Sequence, residues 1–217
     1  MNKNRTCSKQ IVIGIIIAAA LLLAGVVLLI CKQTQEKTEE PILTGETYYA
    51  DIVIRDYGTI TVELNAEAAP ISVANFVSLA NSGYYDGKTF HRIIYGFMMQ
   101  GGAVNTSGAG GSGKTIKGEF AINGVENPLK HTRGAISMAR GNDPNSASSQ
   151  FFIVHETSPH LDGKYACFGY VVSGIEIVDT ICGAAMPINR NGLIAADEQP
   201  VIETVRIYTG DAVNGAN

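Results

Sequence analysis

The densest chemistry in this chain lies in two blocks, FHRIIYGFMMQGG at Phe90 to Gly102 and SASSQFFIV at Ser146 to Val154. They set an arginine, a glutamine and several large apolar side chains on neighbouring strand-like runs. Arg92 is a permanently charged planar donor. Gln100 carries both a donor and an acceptor, and Phe97, Met98 and Phe152 are apolar. Residues of these types can grip an apolar ring while hydrogen-bonding the amide beside it. A Phe or Met on a strand is ordinarily core, but an arginine between apolar strand residues is costly to bury without a purpose. His91, next to it, reads as structural.

Two other motifs invite chemistry and are refused by their context. GAGGSGKT, Gly108 to Thr115, satisfies the phosphate-loop pattern G-x-x-x-x-G-K-[ST]. Such a loop must leave a strand and open a helix whose N-terminus faces the phosphates, and Gly118, Asn123, Gly124 and Pro128 forbid that helix. No nucleotide is expected. His155-Glu156 followed by His160 nearly spells H-E-x-x-H, but the second histidine is one residue late and Pro159 breaks the helix that must carry both ligands. No metal is expected either.

The elements that must position the two blocks are mostly strands. Ile52 and Ile54, then Ile60, Val62 and Leu64, alternate across a turn at Asp56 to Gly58, which predicts a hairpin with one buried side. Pro70 to Ala80 switches to helical spacing, with Pro70 in the first turn and Gly83 just past the end. Thr89 to Gln100, Ala135 to Ala139, Gln150 to His155, Cys167 to Val172 and Val201 to Tyr208 read as strands, and Ile175 to Ile181 as a short helix. Many strands, two helices and Gly-rich connections favour a closed or nearly closed antiparallel barrel, because closure removes exposed edges.

Ahead of this domain, Ile11 to Ile30 is an apolar run without a charge, about 30 Å long as a helix, the thickness of a bilayer core. Lys3, Arg5 and Lys9 precede it and no acidic residue occurs before Glu36, so the positive-inside rule keeps residues 1–10 cytoplasmic and sends the rest across. Residues 11–31 are therefore expected to be a signal-anchor helix. A cleaved signal peptide is the alternative, with its small-residue site at Ala18 to Ala20. The bulky Ile30 argues against lipid attachment at Cys31. Residues 32–47 are polar and read as a flexible linker reaching about 20 to 25 Å, residues 48–209 as one domain, and residues 210–217 as a disordered tail.

Composition narrows the partners. Three of the 16 basic residues precede the apolar run, which leaves 13 against 20 acidic residues, a net of −7. Neither nucleic acid nor an anionic membrane surface suits that charge. Cys7 and Cys31 flank the run, so the domain holds only Cys167 and Cys182. Such sparse usage is no disulfide scaffold. Buried free thiols are expected, with a single bridge as the alternative.

FHRIIYGFMMQGG, GAGGSGKTIKGEF, HTRGAISMAR, SASSQFFIV and LDGKYACFGYV stand in the order and spacing of the cyclophilins, and the chain resembles these peptidyl-prolyl cis-trans isomerases over Tyr48 to Tyr208. The resemblance implies an all-β fold: a closed eight-stranded antiparallel barrel capped by two helices, with the active groove on its outer face and no cofactor. By similarity Arg92 is the catalytic arginine, and Gln100 positions it and binds substrate backbone. Phe97, Met98, Phe152 and Leu161 form the walls of a proline pocket. Gly110, Ala139, Arg140 and Gln150 fall where the groove meets flanking substrate residues. His160 stands where eukaryotic members carry a tryptophan that hydrogen-bonds cyclosporin, which puts tight inhibition in question. Tyr165 replaces a histidine at the rim. Asp143 to Ser148 is one residue longer than that pattern, leaving the register at Arg140 and Gly141 open by one position.

The implied partners are proline-containing peptides in unfolded or nascent secreted proteins, met by a monomer anchored in a bacterial cell membrane with its domain outside. The rival reading is a tethered module that binds proline segments without turnover, since site and function separate easily on one fold. Retention of both Arg92 and Gln100 favours the enzyme.

Overall fold

The computed structural model describes residues 47–210. The basic flank, the apolar run, the linker up to residue 46 and residues 211–217 of the tail lie outside the described residues. Strands β1 (Tyr48–Ile54) and β2 (Gly58–Leu64) form the expected hairpin, with Ile52 opposite Ile60. Ala50, Ile52, Ile54, Ile60, Val62 and Leu64 are all buried, so the period-2 alternation of the sequence is the inward face of the sheet. Helix α1 (Pro70–Asn81) follows, one residue longer than expected. Its Phe76 meets Tyr85, Phe151 and Phe168 with ring centroids 5.1 to 5.4 Å apart.

The run Thr89 to Gln100 is not one strand. It folds back as β3 (Arg92–Ile94) and β4 (Met98–Gly101), paired Arg92 to Gln100, Ile93 to Met99 and Ile94 to Met98. The turn between them needs φ +73° at Gly96, a left-handed conformation that glycine adopts without strain. Strands β5 (Ala135–Met138), β6 (Phe151–Val154) and β7 (Cys167–Ser173) come next, then helix α2 (Ile175–Ala184) and strand β8 (Ile202–Thr209). Helix α2 outruns its expected end at Ile181 by three residues, with Val178, Ile181 and Cys182 on its buried face.

All eight strands belong to one antiparallel sheet of order β3-β4-β6-β5-β7-β2-β1-β8. The sheet wraps a single core in which Ile93 and Met99 from one end meet Ile202 and Val205 from the other. No ladder joins its two edge strands, β3 and β8, directly. The gap is crossed by the isolated pair Thr89–Val201 and by hydrogen bonds from Phe90 N–H to the Pro200 carbonyl (2.9 Å) and from Ile202 N–H to the Lys88 carbonyl (2.8 Å). Gly87 N–H also donates to the Ile202 carbonyl (2.8 Å), Pro200 has no N–H to return, and β3 is only three residues long, so the ladders describe an antiparallel half-barrel. Between β4 and β5 the Gly-rich chain forms only a 3-10 turn at Ala121–Asn123. Cys167 and Cys182 are buried free thiols, each pushed up to about 12 chiefly by burial, and the single-bridge alternative is not realised.

Candidate active site

Strands β4 and β6 are buried on both faces, which is why MMQG and FFIV show no alternation in sequence. Met99, Phe151 and Ile153 enter the main core, while Met98, Phe152 and Val154 turn outward into a second apolar cluster with Ala135, Leu161 and Cys167. That outward cluster floors a cavity of about 180 Å³. The β3–β4 hairpin contributes Arg92, Phe97, Met98 and Gln100, the segment after β5 contributes Ala139 and Arg140, and Phe152, Leu161 and Tyr165 complete the wall. Leu161 ends a 3-10 turn, Pro159–Leu161, whose His160 ring lies 5.4 Å from that of Phe97 at the rim.

Arg92 is held on one side only. Its Nε donates to the Asn191 carbonyl at 2.7 Å and its Nη1 to Gln100 Oε1 at 3.1 Å, with Met98 Sδ 3.8 Å away. Among the described residues Nη2 has no protein partner. Burial lowers the guanidinium pKa, against a smaller opposing influence of Tyr165, yet arginine starts so high that it stays charged.

Beyond Arg92 a directed hydrogen-bond chain runs across the groove. Gln100 Nε2 donates to Gln150 Oε1 (2.9 Å), and Gln150 Nε2 donates to the carbonyls of Gly108 (3.1 Å) and Gly110 (2.8 Å). Arginine can only donate and a carbonyl can only accept, so the two ends dictate which way both amides face. The same chain explains what the Gly-rich loop does: it presents carbonyl oxygens inward, the opposite polarity to a phosphate cradle. A second cavity of about 360 Å³ opens here, lined by Gly108, Gly110, Arg140, Ser146, Ser148 and Gln150 among others, and shares Gln100, Ala139 and Arg140 with the first.

Every sequence-proposed site residue except His160 lines one or both of these adjoining cavities, and His160 lies beside them through its ring contact with Phe97. Arg140 is the least free of them. Its Nε and Nη2 donate to the Lys164 carbonyl (3.0 and 2.9 Å), its Nη1 donates to the Gly141 carbonyl (2.8 Å), and its guanidinium lies between the rings of Tyr165 and Phe120. Sequence reasoning missed the Asn191 carbonyl, which carries no signal because every residue has one. It also missed the layer behind Phe152. There His131, stacked on Phe152 at 6.0 Å, accepts or donates at 3.0 Å to both Asp162 Oδ1 and Ser137 Oγ. This resembles a hydrolytic triad in composition, but Ser137 is fully buried and meets no substrate. Burial lowers the His131 pKa against the pull of Asp162. Burial raises that of Asp162, but its bonds from His131 outweigh this and leave it lowered. A neutral ring donating to a carboxylate follows, a rigid brace for Phe152.

Comparison with known proteins places the fold in a family. The family model described as cyclophilin type peptidyl-prolyl cis-trans isomerase/CLD matches residues 49–209. The chain belongs to that family of isomerases. It is 51% identical to peptidyl-prolyl cis-trans isomerase B of Bacillus subtilis over 124 residues, 57% of this chain and 83% of that protein. A Helicobacter pylori peptidyl-prolyl cis-trans isomerase is 44% identical over 152 residues, 69% of this chain and 88% of that one. A crystal structure of a Cryptosporidium parvum cyclophilin-type isomerase superposes with a TM-score of 0.65 at 31% identity, covering 75% of this chain and 98% of that one. The same protein crystallised in the presence of the dipeptide Ala-Pro gives a TM-score of 0.65 at 32% identity.

Proposed function

We propose that the groove around Arg92 rotates X-Pro peptide bonds in unfolded or nascent proteins outside a bacterial membrane, to which residues 11–31 anchor the domain. The observation that carries the chemistry is the Arg92 fork beside a cavity of about 180 Å³ with Met98, Phe152 and Leu161 in its wall, oriented from behind by Gln100 and Asn191 and, among the described residues, with no protein partner at Nη2. An X-Pro amide faces a barrier of about 18 to 20 kcal/mol and turns over in tens to hundreds of seconds unaided. Twisting breaks resonance and leaves a lone pair on the proline nitrogen. A donor aimed at that nitrogen stabilises the twisted amide over both planar forms. Phe97, Met98, Phe152 and Leu161 hold the ring, and Gln100 meets the substrate backbone. Gly110, Ala139, Arg140 and Gln150 meet residues flanking the proline, while His160 and Tyr165 border the rim. No bond is made or broken and no cofactor is required.

Exchange NMR on a short X-Pro peptide tests the mechanism. Arg92→Ala is expected to lose about 10² to 10³ in kcat/KM, and Arg92→Lys most of that, because an ammonium cannot reproduce the fork. Peptide affinity should fall far less. A folded Arg92→Ala protein as fast as the parent removes Arg92 from the mechanism and returns the binding-module reading. The anchoring is tested separately: protease added to intact cells should digest the domain of a protein still carrying Ile11 to Ile30, and a mature N-terminus beyond residue 20, or protection until lysis, refutes it.

A further inference from the structure

His155 lies one residue past β6, 5% exposed, and all four of its polar groups are engaged. Its N–H donates to the Phe97 carbonyl at 2.9 Å, and its ring Nδ1 accepts the Gly96 N–H at 2.9 Å. Its carbonyl accepts from Arg133 Nη1 at 2.9 Å, and its Nε2 lies 3.2 Å from Asp179 Oδ1. A backbone N–H only donates, so Nδ1 is the acceptor and the ring proton sits on Nε2, directed at the carboxylate. Asp179 is itself fixed by both Nη atoms of Arg133, at 2.6 and 2.7 Å. The Tyr95 ring, 5.1 Å away, covers the imidazole.

The two bonds to the hairpin bracket one dipeptide. Gly96 is held by its N–H and Phe97 by its C=O, and between them the Phe97 side chain leaves for the cavity wall. Within the turn Phe97 N–H donates to the Ile94 carbonyl at 3.0 Å, Ile94 pairs with Met98 across it, and the Glu156 N–H adds a longer contact to the Phe97 carbonyl at 3.4 Å. We propose that His155 is a positioning residue of the isomerase: its ring and main chain, braced by Asp179 and Arg133, hold the β3–β4 turn so that Phe97 stands against the substrate's proline ring. This rests on the groove reading above. The histidine that imitates half of a zinc motif in the sequence is thus a hinge pin for the groove. It touches no substrate. Because Phe97 contacts the ring in the planar and twisted states alike, its displacement weakens both equally and is felt in KM rather than kcat.

Two substitutions separate the two ring nitrogens. The amide oxygen of His155→Asn falls near the place of Nδ1 and can still accept from Gly96, whereas His155→Gln reaches toward Asp179 and leaves the Gly96 N–H without its acceptor. His155→Gln should raise KM about five- to tenfold with kcat within about twofold, and His155→Asn should recover most of that loss. Both are assayed at a temperature where melting curves show them folded. A parent KM in His155→Gln, or equal KM values in the two variants, overturns the proposal. A through-hydrogen-bond nitrogen–nitrogen coupling between Gly96 and His155 Nδ1 in the unaltered protein is expected whether or not the variants fold, and its absence also overturns it. Arg92→Ala, measured alongside, separates the two readings. If it is fully active the groove mechanism fails, and if it is inactive while His155→Gln keeps the parent KM only the role of His155 fails.

Discussion

Helix α1 begins at Pro70 behind Ala69, a residue that cannot cap it, and the missing cap comes from 47 residues away in sequence. The buried carboxylate of Glu119 accepts the N–H of Ile71 through Oε1 (2.9 Å), and the N–H and hydroxyl of Ser72 through Oε2 (2.8 and 2.7 Å). The helix N-terminus supplies the positive end that makes a buried anion tolerable. Hydrogen bonds to a charged group contribute about 1.5 to 3 kcal/mol each, a cap as a whole about 0.5 to 2. Three such bonds on one carboxylate are not additive, and Glu119→Ala also leaves the fully buried Ser72 with two unsatisfied donors. We therefore expect a loss of about 3 to 5 kcal/mol, or roughly 10 °C in Tm for a domain of about 160 residues. Glu119→Gln keeps the shape but turns an NH2 toward one set of donors, and should lose about half as much. Urea unfolding followed by circular dichroism measures both, with an unchanged m-value showing that only stability moved. A Glu119→Ala midpoint corresponding to less than about 1 kcal/mol would refute the remote-cap reasoning.

Acid should destabilise the domain through His91. Burial, then the neighbouring Arg92 charge, lowers its pKa from 6.5 to about 4, and a Cβ on Gly108 would sit only 2.5 Å from its ring. The unfolded chain takes up this proton at a higher pH than the native one, so stability is full above about pH 6.5 and falls as pH drops toward 4, by at most about 3 kcal/mol. Urea midpoints from pH 7 to 4 should show the slope, flattened in His91→Leu; equal slopes would refute it. Lys114→Ala should isomerise peptides like the parent, and ATP should not raise Tm, because a ligand that binds the native state must stabilise it. A nucleotide-dependent shift that vanished in the variant would revive the phosphate-loop reading.

Local order was legible in the chain because it rests on short-range patterns. The β1–β2 hairpin follows from alternation in Ile52 to Leu64, and both helices follow from apolar spacing, Pro70 marking one start. The groove residues were legible only through motif resemblance, since a Phe or Met on a strand buried on both faces looks like core. The fold of Thr89 to Gln100 into β3 and β4 was missed because large apolar residues run almost unbroken from Ile93 to Met99, so nothing in the alternation marks the turn and only Gly96 hints at it.

Residue identities alone thus determined which side chains could grip a ring and donate to an amide, and which look-alike motifs lacked the helix their chemistry needs. Tertiary structure decided where the acceptors are. Arg92 is oriented by the Asn191 carbonyl, Gln150 by the carbonyls of Gly108 and Gly110, and Phe97 by a histidine that pattern-matching would assign to zinc. Backbone oxygens are identical at every position, so a sequence cannot mark the few that matter. They acquire meaning only when folding brings them within about 3 Å of a side chain that has to donate.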